Sequence, residues 1–304
     1  MGAEYARQQL HHAAGFLPKK LRLTVTGLPE RLQSEIEEIR LRIGRPMTVV
    51  VPDREIQTGS IVGAADLELT LEIASQSSVY TVANQIKHGF VSLKGGHRLG
   101  VCGTGVTKGG EISMVRQISS LALRIAREFP GAALPILEEL QEEGHIKNTL
   151  ILSPPGKGKT TLLRDMIRCI SDGQGIRPKR VGVADERGEL AAMFGGEPQM
   201  NIGARTDVMD GCAKAAAILM LLRGMNPEVI AVDEITSPED IEAIKAAAGC
   251  GVTLLATAHA EKIEDLDYRP VYRELVKERI FQRAVIIEMK DGKRCYRAKG
   301  LGET

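Results

Sequence analysis

Tryptophan is absent from this 304-residue chain, and phenylalanine and tyrosine occur only five times each. A nucleic-acid platform built on stacked bases needs flat aromatic faces, so the scarcity argues against one. A surplus of either charge is lacking too: 40 Lys and Arg stand against 39 Asp and Glu, a formal net of +1. Such a chain has no whole-molecule field to draw in nucleic acid or an anionic membrane. No run reaches the ~18 consecutive apolar residues of a membrane span. Met1 to Gly15 has no apolar core of the kind a secretory signal carries. Any membrane association is therefore expected to come through a protein partner. The five cysteines, Cys102, Cys169, Cys212, Cys250 and Cys295, form no C-x-x-C pair and are odd in number. They read as small core residues in a reducing cytoplasm, not as a disulfide framework.

What remains is 43% hydrophobic, enough over this length for two domains with real cores. The chain is organised around Thr149 to Thr161, which reads as a buried strand, a tight loop and the start of a helix. The loop nearly matches the phosphate-binding pattern G-x-x-x-x-G-K-[ST]. Pro155, Gly156, Lys157, Gly158, Lys159, Thr160 and Thr161 are the expected nucleotide contacts. Gly156 and Gly158 let the backbone curl so that successive N–H groups point at an anion. Lys159 is placed to reach the β- and γ-phosphates of ATP, and Thr160 to bind Mg²⁺. The helix, roughly Thr160 to Ile170, adds its positive dipole end. Ser153 stands where the pattern has its first glycine.

Two more apolar strands end in acids. Arg180 to Ala184 leads to Asp185-Glu186-Arg187, and Val229 to Val232 leads to Asp233-Glu234. Ligands gather at the C-terminal ends of parallel strands. Adjacent carboxylates beside a buried strand are costly unless a cation compensates them. Asp233 is therefore expected in the Mg²⁺ shell, and Glu234 is expected to polarise the water that attacks the γ-phosphate. Glu186 is the competing water activator. A further strand, Thr253 to His259, ends in Thr257 and His259, which are placed to sense the γ-phosphate. Gly211 to Arg223 reads as a helix apolar nearly all round. Ser237 and Pro238 open another helix as N-cap and first residue, and Asp291-Gly292 joins a terminal hairpin. Together these elements specify an α/β fold, a RecA-like P-loop ATPase core.

The first ~125 residues read as a small α+β domain by pattern. Leu32, Ile36 and Ile39 fit one face of a helix over Pro29 to Arg40, and Arg40 to Ile43 alternates like a strand. Asp66 is expected to cap a helix carrying Leu67, Leu71 and Ala74, and Val79 to Lys87 forms another. Glycine pairs then break short extended pieces. Helix Pro135 to Glu143 leads to the phosphate loop. The expected division is residues 1–130, a linker and helix at 131–147, and the ATPase domain at 148–304, with Pro130-Gly131 as hinge. RecA-like sites often need an arginine from a neighbouring subunit; Arg124, Arg127, Arg187 and Arg205 are the candidates.

Leu221-Leu222-Arg223, then Asn226 to Ile235, the Ala-rich helix and Ala256-Thr257-Ala258-His259 resemble the type II/type IV secretion ATPase superfamily. Asp185/Glu186, Glu234 and His259 match its acidic box, Walker B acid and His box. More closely, the chain is similar to the stage III sporulation AA family of endospore-forming bacteria. The similarity lies in Glu37 to Pro46, Ser75 to Tyr80, Gly95 to Arg98, Ile118 to Leu121, Ala184 to Glu189 and Gly203 to Val208. The resemblance implies an ATPase of the mother-cell cytoplasm that works as a homo-oligomer, a hexamer. It would be recruited peripherally to the outer forespore membrane by membrane-embedded sporulation channel proteins. Two other readings of the same core are a nucleic-acid translocase, against which charge and aromatic content count, and a nucleotide-switched scaffold with little turnover.

Overall fold

A computed structural model of the chain describes residues 2–75, 89–290 and 293–301. The chain divides into two compact units, Met1–Arg127 with Ala192–Gln199, and Glu128–Ala191 with Met200–Thr304.

In the first unit, helices α1 (Gly2–Ala14), α2 (Lys19–Thr26), α3 (Glu30–Glu35) and α4 (Ala64–Ala74) accompany one antiparallel sheet. Its strands are β1 (Glu38–Arg42), β2 (Pro46–Val51), β3 (Arg54–Ile61), β4 (Phe90–Ser92), β5 (Arg98–Lys108) and β6 (Glu111–Arg124), in the order β3-β2-β1-β6-β5-β4. β1 shows the local logic. Ile39 and Leu41 are fully buried, while Glu38, Arg40 and Arg42 alternate away from them. They join a core with Leu10, Leu17, Leu21, Met47, Val49, Leu99 and Leu123.

Two expectations change here, and a third lies beyond what is described. The helix expected over Pro29 to Arg40 stops at Glu35, because Glu38 to Arg42 pairs with both β2 and β6. Two ladders of hydrogen bonds outweigh a helical period carried by three residues. Asp66 is not the N-cap of α4 but lies a turn in, where its carboxylate accepts from the Gly63 N–H at 2.8 Å. The helix expected over Val79 to Lys87 lies outside the described residues.

The second unit is built on a seven-stranded sheet in the order β11-β10-β12-β13-β9-β14-β15. Its strands are β9 (Thr149–Ser153), β10 (Val181–Asp185), β11 (Thr206–Asp210), β12 (Val229–Val232), β13 (Thr253–His259), β14 (Arg283–Lys290) and β15 (Lys293–Gly300). Neighbours run parallel from β11 through β14, and β15 returns antiparallel. β9, β10 and β12 are buried along their whole length, which is why they read as unbroken apolar runs. The helices are α5 (Leu134–Glu139), α6 (Lys159–Asp172), α7 (Lys214–Gly224), α8 (Pro238–Gly249) and α9 (Pro270–Lys277); β7 (Gln141–Glu142) and β8 (His145–Ile146) form a small hairpin. Register aligns Ala184 with Val232, Val232 with Ala256, and Ser153 with His259, so the strand ends carrying acids, hydroxyls and His259 share one edge.

The helix expected over Pro135 to Glu143 ends at Glu139, because Glu143 and Gly144 both take positive φ and turn the chain into the β7–β8 hairpin. α7 buries only part of its apolar surface: Ala217, Ile218 and Leu221 are buried, while Met220 is 57% exposed. Pro130 and Gly131 form the centre of a turn, with Gly131 at φ 90° and the Ala132 N–H donating to the Phe129 carbonyl at 3.4 Å. All five cysteines are free thiols, and only Cys169 is buried. Among the described residues no helix is long and apolar enough to cross a membrane.

Candidate functional site

β9 carries the chain through the core to Ser153, where the loop begins. Ser153 has no positive φ, so the missing glycine costs the turn nothing, and its hydroxyl folds onto the Pro154 carbonyl at 2.9 Å. Gly156 (φ 74°) and Gly158 (φ 101°) take the left-handed conformations that an anion-cradling loop requires. Gly158 then caps α6, which starts at Lys159. The Lys159 ammonium is buried and donates to the carbonyls of Ser153 (2.8 Å) and Pro154 (3.2 Å) and to Nδ1 of His259 (2.8 Å). Burial holds its pKa below the ordinary lysine range, and the charges of Asp233 and Glu234 oppose that shift.

The acids at the end of β12 complete the cluster. Thr160 donates to Oδ2 of Asp233 at 3.1 Å, and Thr257 donates to Oδ1 at 2.7 Å. Glu234 meets Nε2 of His259 at 3.1 Å. An ammonium can only donate, so His259 accepts at Nδ1 and donates from Nε2 to Glu234. Lys159, His259 and Glu234 thus form one chain across the mouth of the sheet. Among the described residues, no cluster of three or more His, Cys, Asp or Glu could hold a metal unaided. A threonine hydroxyl beside one aspartate is the protein share of a Mg²⁺ site completed by phosphate oxygens and water, and the residues present fit that donor set.

The acidic box is different. Asp185 is 1% exposed and accepts from the backbone N–H groups of Glu189, Leu190 and Ala191. Burial pushes its pKa up, and those three amides pull it back down. Arg164 on α6 donates to the carbonyls of Leu190 (2.7 Å) and Glu189, so the same loop is gripped by a carboxylate on its amides and a guanidinium on its carbonyls. Glu186 is ion-paired with the buried Lys214 at the start of α7.

The arginines expected to act on the γ-phosphate occupy varied settings. Arg127 donates to the carbonyls of Ser34 (3.0 Å) and Ile36 (2.6 Å). Arg205 donates to the Ser171 carbonyl at 3.0 Å. Arg124 is 69% exposed and has one long ion pair, 3.6 Å, with Glu38. Arg187 is exposed. Sequence reasoning did not place Arg294 of β15 beside the loop. A Cβ built on Gly158 would lie 3.0 Å from its Cζ. The grip of Arg164 was missed as well. Neither residue lies in a local motif, so no signal along the chain marks them.

A family model described as sporulation stage III, protein AA matches residues 9–301. The chain belongs to this family. Within it, the chain is 38% identical over 294 residues to stage III sporulation protein AA of Bacillus subtilis (strain 168), covering 96% of this chain and 93% of that protein. Among solved structures, the pilus retraction motor PilT with bound ADP gives a TM-score of 0.60 at 19% identity, over 91% of this chain and 82% of that one. The Legionella pneumophila ATPase DotB gives 0.56 at 15% identity, over 90% and 80%. This family member therefore has the fold of the secretion ATPases, with the RecA-like core expected from its sequence.

Proposed function

We propose that the chain is an ATP-hydrolysing motor or assembly ATPase that energises a secretion-like channel complex between mother cell and forespore during endospore formation. The observation that carries the reading is the convergence of Lys159, Thr160, Asp233, Glu234 and His259 at the strand ends, joined by direct hydrogen bonds. In it the loop amides and Lys159 bind the phosphates. Thr160 and Asp233 would hold Mg²⁺, which would supply neutralisation of phosphate charge. Glu234, oriented by His259, takes the proton of the attacking water as the new P–O bond forms and ADP leaves.

Glu186 is less suited to that task, since its carboxylate is occupied by Lys214. Activation in trans falls to Arg124 before Arg127 or Arg205, because its one ion pair is long and its side chain exposed, while the other two donate to backbone carbonyls at 2.6–3.0 Å. The working state in this reading is a homo-oligomer, a hexamer, held in the mother-cell cytoplasm. Membrane-embedded sporulation channel proteins recruit it to the outer forespore membrane.

The test is phosphate release from ATP against protein concentration, with and without single-stranded DNA. Activity per subunit that rises with concentration and ignores DNA supports the motor. Constant activity from a proven monomer removes the trans arginine. Strong, salt-sensitive stimulation by DNA points to a translocase. Tight nucleotide retention without phosphate release points to a switched scaffold.

A further inference from the structure

The terminal hairpin lies beside the phosphate-loop strand. β14 pairs with β9 (Ile286 with Leu152), and β15 pairs with the other edge of β14, placing Arg294 opposite Met289. From there the guanidinium reaches the loop itself. A Cβ on Gly158 would meet Cζ of Arg294 at 3.0 Å, Nε at 3.1 Å and Nη1 at 3.3 Å, so the guanidinium lies over the place a side chain at Gly158 would occupy. Phe129 lies beside it, with Cζ 5.8 Å from the ring centroid and Phe129 half exposed.

The charge setting is the unusual part. Three other basic residues of the hairpin have acidic partners: Arg297 and Lys290 both pair with Glu288, and Arg283 with Glu142. Among the described residues no carboxylate lies within ion-pair distance of Arg294. The loop it covers continues directly into Lys159. Two cations brought to one glycine loop repel each other until an anion sits between them. A planar guanidinium that bonds no described residue is suited to phosphate oxygens.

We propose that Arg294 is a nucleotide-contacting residue: its guanidinium closes the outer side of the phosphate loop and bonds the phosphate chain of a nucleotide held by the same subunit, with Phe129 steadying it from behind. The proposal rests on the ATP reading of the loop and deepens it by adding a contact in cis from the C-terminal hairpin.

The experiment is titration of the full chain with Mg-ADP, AMP and inorganic pyrophosphate, for wild type, Arg294→Ala, Arg294→Lys, Phe129→Leu and the control Arg297→Ala. Thermal melting without ligand checks each fold. Arg294→Ala is expected to weaken ADP and pyrophosphate about tenfold, the scale of one charge-assisted contact, and to flatten the salt dependence of binding. Arg294→Lys should recover part of the affinity, Phe129→Leu should lose a smaller part, and Arg297→Ala should match wild type. Unchanged ADP affinity in a folded Arg294→Ala protein overturns the proposal. So does an equal loss for AMP and ADP with pyrophosphate unaffected, which assigns the contact to the nucleoside. If wild type binds no nucleotide, or Lys159→Ala binds as wild type does, the phosphate-loop reading fails and takes this proposal with it.

Discussion

The hydroxyl of Thr257, near the end of one central strand, donates at 2.7 Å to Oδ1 of Asp233 at the end of the next. Thr160 takes the other oxygen at 3.1 Å, so two hydroxyls from two elements fix the carboxylate plane. Thr257 is fully buried. Thr257→Val keeps the shape and removes one donor. It is expected to lower phosphate release about tenfold, the cost of losing a hydrogen bond to a charged group, with little change in ADP affinity. Thr257→Ser should restore the rate. A valine variant with normal turnover would mean that Asp233 is oriented without this bond.

Lys159 and Glu234 are expected to separate binding from chemistry. Lys159→Ala removes the buried ammonium that meets the loop carbonyls and His259, and should abolish measurable nucleotide binding. Glu234→Gln keeps the contact with His259 within reach but loses the base. It should bind ATP normally and release phosphate at least about a hundredfold more slowly, the usual scale of a lost general base. Equilibrium binding and single-turnover hydrolysis read the two effects independently. Hydrolysis by Glu234→Gln at the normal rate would move the role to Glu186.

The glycine loop after β9 and the acids at the strand ends were legible as sequence because strands buried on both faces leave long apolar runs, against which Asp233-Glu234 and His259 stand out. Other parts were not, and for physical reasons. Ile39 satisfies a helical period with Leu32 and Ile36 and a strand period with Leu41; only pairing with β2 and β6 decides between them. Arg127 follows a strand and looks available, yet its partners, Ser34 and Ile36, lie some ninety positions away. Strand β11 is at the sheet edge, where mixed polarity hides the pattern. Asp185 has the residue type and strand-end position of a catalytic acid, but its environment makes it a cap for the backbone of residues 189–191.

That reading of Asp185 has its own consequence. An asparagine there keeps one oxygen but turns an N–H₂ toward a row of N–H donors. Asp185→Asn is expected to destabilise the fold by about 1–3 kcal/mol, the penalty for unsatisfied buried donors. Thermal unfolding should therefore begin lower, and any loss of ATPase activity should follow the loss of folded protein. A variant that melts like wild type but fails to hydrolyse ATP would return Asp185 to the chemistry.

The first unit carries a pH response of its own. His97 is 1% exposed; its Nδ1 accepts from the Ala126 N–H at 3.0 Å, and its Nε2 meets Nδ1 of His12 at 2.9 Å. Nδ1 is an acceptor, so the ring proton sits on Nε2 and is donated to His12. A second proton on Nδ1 would face the Ala126 N–H and break that bond. Burial, and then the charge of His12, push the pKa of His97 down from 6.5 to about 3. A base whose pKa is depressed by folding stabilises the fold above its unfolded value and loses that contribution as pH falls toward the folded one. The window is therefore pH 6.5 down to about 3, with a slope of about 1.4 kcal/mol per pH unit inside it. His97→Gln can still accept from Ala126 and donate to His12, but it does not titrate. Between pH 7 and pH 5, above the range where most carboxylates protonate, wild type should lose about 2 kcal/mol more stability than the variant. Denaturant unfolding at the two pH values measures the difference. Equal losses in the two proteins would show that His97 is not the group that titrates.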